Sequence, residues 1–371
     1  MRILYVTTIG TTMGFFKAYI RELLDRGHCV DIACNEEQSP VAPCYREWGC
    51  RVFPISTSRS PFNMGNLKAI GQLKALVAEN QYEIVHCHTP LAAAATRVAC
   101  MGARKQGVKV IYTAHGFHFY KGAPLKNWLI FYPIEKLCSY WTDVLVTINK
   151  EDYTLAQEKL HAKQTRYVPG VGIDVEKFAQ TGVDVAQKRA SIGVPENCVL
   201  LFSVGELNEN KNHSTVIRAL AQLHNENFHY MIAGVGNMDK HLTDLARELG
   251  LEKQVHLLGY RTDIAELCKA ADLFVFPSFR EGLPVSVMEA MASGLPVVAS
   301  SIRGNEDLIE TEKGGYLFAP SEITQLADAI EKMCEKTVRD ACGEFNSHAA
   351  QQYDVAQINE IMCNIYGISD K

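Results

Sequence analysis

The chain has 371 residues, 47% hydrophobic and 21% charged, with a formal net charge of −5; this is a globular composition that gives no electrostatic case for general nucleic-acid binding. The length suits two domains, each able to bury its own core. Twelve scattered cysteines with no CxxC pair, no leading segment of signal-peptide order, and no apolar run of about 18 to 20 residues point away from a disulfide scaffold, an exported chain and a bilayer-spanning one, so a cytoplasmic protein is expected.

The first strand, RILYVTT, starts at Arg2 and leads through Ile9, Gly10 and Gly14 into the helical stretch FFKAYIRELLDRG. Gly27 ends that helix before the strand HCVDIAC. Strands EIVHCH (83–88), KVIYTAH (109–115), DVLVTIN (143–149) and RYVPGVG (166–172) follow, separated by helix-length segments. Such alternation predicts a parallel sheet covered on both faces. The pattern then restarts with CVLLFSVGE (198–206), HYMIAGVG (229–236), VHLLGY (255–260), LFVFPS (273–278) and PVVAS (296–300). The expected fold is therefore α/β, with two doubly wound Rossmann-like domains. PGVGIDVEKF, Gly170 to Phe178, offers the join. The predicted domains are 1–174 and 175–350, and a helical tail, 351–371, is expected to pack back on the first.

Ligands of open parallel sheets bind beyond the carboxyl ends of the strands, so the expected site lies in a cleft faced by both. Gly14, His88, His115, Lys211, Gly236, Tyr260 and Glu281 all fall just after a strand. The densest stretch is FPSFREGLPVSVMEAMASGLPVVAS, 276–300, where Glu281 precedes a short helix and Glu289 sits inside it. The backbone of Gly282, Leu283, Pro284 and Val285 stands at the helix N-terminus, where the free N–H donors of the non-proline residues and the dipole favour an anion. Gly282 allows close backbone approach, and Pro284 suits a first helical turn. An ionised carboxylate accepts two hydrogen bonds from a vicinal diol, which a ribose or hexose offers. The plain alternative is that Glu281 caps the helix and Glu289 is a surface residue.

EGLPVSVME fits the E-x7-E signature, and the chain around it resembles family 4 of the retaining glycosyltransferases, enzymes of GT-B fold. The resemblance extends over KVIYTAHGFHF, PGVGID, SVGELNENKN, AGVG, LLGYRTDI and ASGLPVVAS, nearly the whole chain. It implies that Glu289 holds the ribose hydroxyls of a nucleotide-sugar and that Glu281 contacts hydroxyls of the transferred sugar. The amides after Gly282 would face the diphosphate or sugar. Lys211 resembles the family's diphosphate lysine, a point charge on a leaving group that gains negative charge. Many members carry arginine where this chain has Glu206, so the usual second cation is missing or comes from elsewhere; Arg280 and Arg261 are the sequence candidates.

By the same resemblance His115 reaches the donor sugar or reacting centre, Gly14 lies beside the donor phosphate or acceptor, and Gly259, Tyr260 and Arg261 hold the base. A core histidine bonded to backbone is the alternative for His115, and a glycine required only by its turn is the alternative for Gly14. His86, Cys87, His88, His115 and His118 show no zinc-like spacing, and the family pattern requires no metal and no other cofactor. The implied activity is metal-independent, retaining transfer of a hexose or N-acetylhexosamine, most simply from a UDP-sugar. SVGELNENKN and AHGFHFYKGAP resemble bacterial capsule and exopolysaccharide enzymes, which implies an undecaprenyl-diphosphate-linked sugar or other glycan as acceptor. Residues 121–141 join Trp128, Phe131, Tyr132 and Trp141 to Lys121, Lys126 and Lys136, a composition that suits peripheral contact with the inner membrane or a helix packed into its own domain. A nucleotide-sugar epimerase of the same fold and a noncatalytic nucleotide- or glycan-binding module are the alternative functions.

Overall fold

A computed structural model describes residues 1–58, 60 and 63–368. The chain forms two compact units, the first made of Met1–Val171 with the chain from Ala356 onward, the second of Gly172–Val355.

The first unit holds seven parallel strands: β1 Arg2–Ile9, β2 Cys29–Asn35, β3 Val52–Pro54, β4 Ile84–His88, β5 Lys109–Ala114, β6 Val144–Thr147 and β7 Gln164–Tyr167. Their order is β3-β2-β1-β4-β5-β6-β7. Successive side chains of a strand point to opposite faces, and β1 accordingly sends Ile3 and Tyr5 into one core and Leu4 and Val6 into the other. Both faces are covered, which is why these strands read as unbroken apolar runs. The last helix, Val355–Tyr366, closes the Ile3 and Tyr5 face with Ile358, Met362, Cys363 and Tyr366.

The second unit repeats the plan with six parallel strands: β8 Val199–Val204, β9 Phe228–Ala233, β10 Val255–Leu257, β11 Leu273–Phe276, β12 Val297–Ser300 and β13 Gly315–Phe318. Their order is β10-β9-β8-β11-β12-β13. In each sheet the winding reverses once, between β1 and β4 and between β8 and β11, and a reversal leaves a crevice at the strands' carboxyl ends.

At the sheet edges and at the join the structure departs from the sequence pattern. β3 and β13 have no clear sequence signal, being short outer strands with one neighbour each and weak alternation. The strand expected at 166–172 runs over 164–167. The first unit stops at Val171 and not at Asp174, because Ile173 bridges Asp354 and its N–H reaches Tyr353 O at 2.9 Å. The same contacts keep residues 351–355 in the second unit, so only the chain from 356 returns to the first.

Candidate functional site

Lys211 and Glu281 meet at the reversal point of the second sheet. After β8 the chain turns through Gly205 into a 3-10 turn, Glu209–Lys211, which the Asn208 side chain caps by accepting the Lys211 N–H at 3.0 Å. Asn212 follows in the left-handed region, φ 54°, and its Nδ2 donates to Pro277 O at 3.1 Å and Pro320 O at 3.0 Å. Asn210 Nδ2 donates to Arg280 O at 3.0 Å, and the Phe279 N–H returns a bond to Asn210 O at 2.8 Å. These bonds join the β8 and β11 loops, and the lysine side chain inherits their rigidity. Its stem crosses Gly205, where a Cβ would lie 3.1 Å from Lys211 Cε. Nζ stands 4.8 Å from the Phe276 ring centroid and 2.8 Å from Glu281 Oε1.

The helix after Glu281 spans Val285–Ala292 and begins at Pro284 without a side-chain cap. The Gly282, Leu283 and Val285 amides have no intramolecular acceptor among the described residues, so the positive end of the helix is left open for an anion. One turn on, the partly buried Glu289 carboxyl has no hydrogen-bond partner among the described residues. Burial raises its pKa to about 7, against the pull of Lys177. Arg303, absent from the sequence reading, donates from Nε to Glu281 O at 3.2 Å. Gly304 beside it has φ +83° and packs where a Cβ would stand 2.3 Å from Gly282 O. The available signal was positional: both residues follow the strand PVVAS, at the same carboxyl edge as the other candidates.

Other expected residues fall around this group. Glu206 is exposed, with no cation paired to its side chain among the described residues. Arg261 is not a spare cation: Asp263 takes it at 2.8 and 2.5 Å, and Lys188 holds the same carboxylate at 2.6 Å. Arg280 is exposed, as is Tyr260 at 78%. The β9 loop presses on the β8 loop so closely that a Cβ on Gly234 would meet Gly205 O at 1.8 Å. Gly234 is thus required for packing, whatever else it does.

In the first unit His115 directly follows β5 and shares a hydrogen bond with His88, Nε2 to Nδ1 at 3.1 Å. Among the described residues its hydrogen bond is to this side chain and not to backbone. His88 stacks on Phe16, centroids 4.0 Å apart, and meets the tilted ring of His86 at 4.1 Å. His86 in turn bonds Tyr366 Oη at 2.7 Å and Thr113 Oγ1 at 2.8 Å. Burial lowers the pKa of all three, His115 to about 4, His86 to about 3 and His88 well below its usual value. His118 lies apart, its ring on Phe131 at 4.5 Å. Gly14 is exposed, has no positive φ, and a Cβ there would meet nothing. Neither turn geometry nor packing within the unit explains it.

Known proteins match over both units. The profile described as "Glycosyl transferase 4-like" covers residues 2–149, and "Glycosyl transferases group 1" covers 184–351. EpsD of Bacillus subtilis (strain 168), provisionally named a glycosyltransferase, is 38% identical over 321 residues, 85% of this chain and 84% of its own. The Escherichia coli UDP-Gal:alpha-D-GlcNAc-diphosphoundecaprenol alpha-1,3-galactosyltransferase is 28% identical over 83% of this chain and 81% of its own. Anabaena Alr3699/HepE, solved in complex with UDP-glucose, superposes with a TM-score of 0.80 at 23% identity, covering 99% of each chain.

Proposed function

This chain belongs to the family 4 glycosyltransferases of GT-B fold, and we propose that it moves a hexose or N-acetylhexosamine, with retention, from a UDP-sugar to a lipid-linked glycan. The observation that carries the reading is the second unit's cluster: a lysine paired with a carboxylate, a helix N-terminus without a side-chain cap, and a second carboxyl with no hydrogen-bond partner among the described residues. Each group matches one part of a nucleoside diphosphate sugar. Lys211 and the amides of Gly282, Leu283 and Val285 take the diphosphate, Glu289 takes the ribose diol, and Glu281 takes hydroxyls of the sugar. In the free protein Glu281 neutralises Lys211; a diphosphate would bring two charges to the same ammonium and release Glu281 toward the sugar.

In this reading the bond from the anomeric carbon to the diphosphate oxygen breaks while the acceptor hydroxyl bonds that carbon on the same face. The acceptor's proton passes to the departing phosphate oxygen, so no carboxylate nucleophile of the glycosidase kind is required. Glu281 stabilises the cationic sugar, and Lys211 with the helix dipole stabilises the leaving group. In this reading Lys211 and the helix dipole carry the charge of the leaving group, and the reaction runs without a metal. His115 serves the reacting centre as a neutral group, able to donate or accept one hydrogen bond. Gly14 admits donor phosphate or acceptor, and Tyr260 borders the base. UDP as nucleotide and an undecaprenyl diphosphate sugar as acceptor are supported by what the HepE complexes and the E. coli relative are named for. Work on a lipid-linked acceptor implies a cytoplasmic protein at the membrane's inner face.

The test is a screen of UDP-, GDP- and ADP-sugars with a lipid-linked acceptor, with chelator or added divalent ion, followed by product NMR at the anomeric centre. Release of UDP alone, undiminished by chelator and with the donor's configuration kept, is the expected result. A free epimerised nucleotide-sugar, or binding of nucleotide without turnover, would overturn it.

A further inference from the structure

The helix Leu125–Ser139 of the first unit turns its aromatic residues inward. Trp128 and Tyr132 meet Phe119 at 5.5 and 5.4 Å, Phe131 meets His118 at 4.5 Å, and Glu135 forms a buried ion pair with Arg97 of the helix Pro90–Ala99. These contacts fix the rotation of the helix. At 3.6 residues per turn they leave Leu125, Leu129, Ile130, Ile134 and Leu137 facing outward, with Tyr140 beyond the helix end; Leu125 is 73% and Leu129 68% exposed. An ordinary surface helix turns its charged side chains outward and its apolar stripe inward; this one is apolar on both sides.

Its outward charges are of one sign. Lys126 and Lys136 are exposed, whereas Glu135, the one carboxylate between residues 121 and 141, is inside. At the helix's far end a groove is lined by Met101, Arg104, Lys105, Trp141 and Lys163, and Arg104 Nη1 reaches Tyr140 O at 3.1 Å. Asp143 takes up part of the charge of Arg104 and Lys163, while Lys105 stays exposed. In a chain of net charge −5 this is a locally cationic and aliphatic face. Two-fold pairing with a second copy would set Lys126 against Lys136, and repulsion would oppose it. Anionic headgroups above an acyl layer complement both features.

We propose that the outward face of Leu125–Ser139, with the adjoining basic groove, seats the first unit on an anionic phospholipid bilayer. Leu125, Leu129, Ile134 and Leu137 enter the headgroup and acyl boundary, and Lys126, Lys136 and Lys105 lie against phosphates. The inference extends the reading of a lipid-linked acceptor and names the surface through which that acceptor's membrane is met. The experiment is sedimentation of the full chain with vesicles of phosphatidylcholine alone or mixed with phosphatidylglycerol. Binding to the mixed vesicles, weakened by salt and reduced on the order of tenfold or more in K126E/K136E and in L129E/I134E, is expected. Both variants should keep the native circular dichroism and the native affinity for UDP. Equal binding by the variants, or no binding to either vesicle, overturns the proposal. So does a wild-type dimer that L129E/I134E dissociates, which would assign the face to a second copy. Vesicle binding of the expected pattern in a protein that turns over no donor supports this proposal and rejects the glycosyl-transfer reading, so the two fail separately.

Discussion

The two units share one winding plan and put opposite chemistry at its reversal point. At the β8/β11 reversal stand ions: Lys211 against Glu281, an open helix N-terminus, and Arg303 on the backbone of Glu281. Near the β1/β4 reversal stand neutral, packed rings: His88 between Phe16 and His86, bonded to His115. The first arrangement suits a charged ligand that replaces one internal partner by a better one. The second excludes charge, since burial keeps each imidazole unprotonated. Topology chooses where a site forms, and side chains choose what it can hold.

The largest effect that would break this contrast belongs to Lys211. Lys211→Ala should lower nucleotide release on the order of 10²- to 10³-fold while the far-ultraviolet dichroism stays native; full turnover in the folded variant would remove the charged cluster from catalysis. Next comes acid. His86, His88 and His115 have folded pKa values below their ordinary 6.5, so unfolding takes up protons between about pH 6.5 and 4. Their contribution is complete above about pH 6.5 and shrinks as pH falls through that window. All three tryptophans, Trp48, Trp128 and Trp141, lie in the first unit, so denaturant curves followed by tryptophan fluorescence at pH 7.5 and 5 should show its loss of stability. Midpoints that coincide would contradict buried neutral imidazoles.

Glu289 sharpens the contrast, because its sign is reversed. Its folded pKa, about 7, lies above the ordinary 4.5; the stability tied to the neutral carboxyl is present below 4.5 and lost as pH rises through 7. Glu289→Gln should therefore gain at most about 3 kcal/mol at pH 8 relative to wild type, and nothing at pH 4. The same variant should bind UDP roughly tenfold more weakly, having lost a charged acceptor; unchanged affinity by calorimetry would free Glu289 from the ribose. The smallest expected effect is Gly14→Ala, which should leave stability within about 1 kcal/mol, since its Cβ meets nothing, yet slow turnover. A Gly14→Ala enzyme of normal rate would leave that glycine without a role.

Much of the site was legible from local order alone. Strand periodicity located the carboxyl edges, and Glu281, Glu289 and the helix between them lie within one short segment whose geometry needs no distant partner. The hidden parts are those decided by long-range contacts. Nothing local says that Lys211 finds Glu281 70 residues away, or that Arg303 folds back to Glu281. Arg261 is taken by Asp263 two residues on, and only the tertiary structure brings Lys188, from the helix Val185–Ser191, to the same carboxylate.

The segment 121–141 marks the boundary most clearly. Its sequence determined a helix, its lysines and its aromatic content, because propensity and composition are local properties. Which side faces out was decided only by tertiary structure. Phe119 and His118 engage the rings, Arg97 buries Glu135, and the aliphatic residues are left outside. A helix with apolar residues on every side has no preferred rotation of its own, so the partners that bury one face also choose the other.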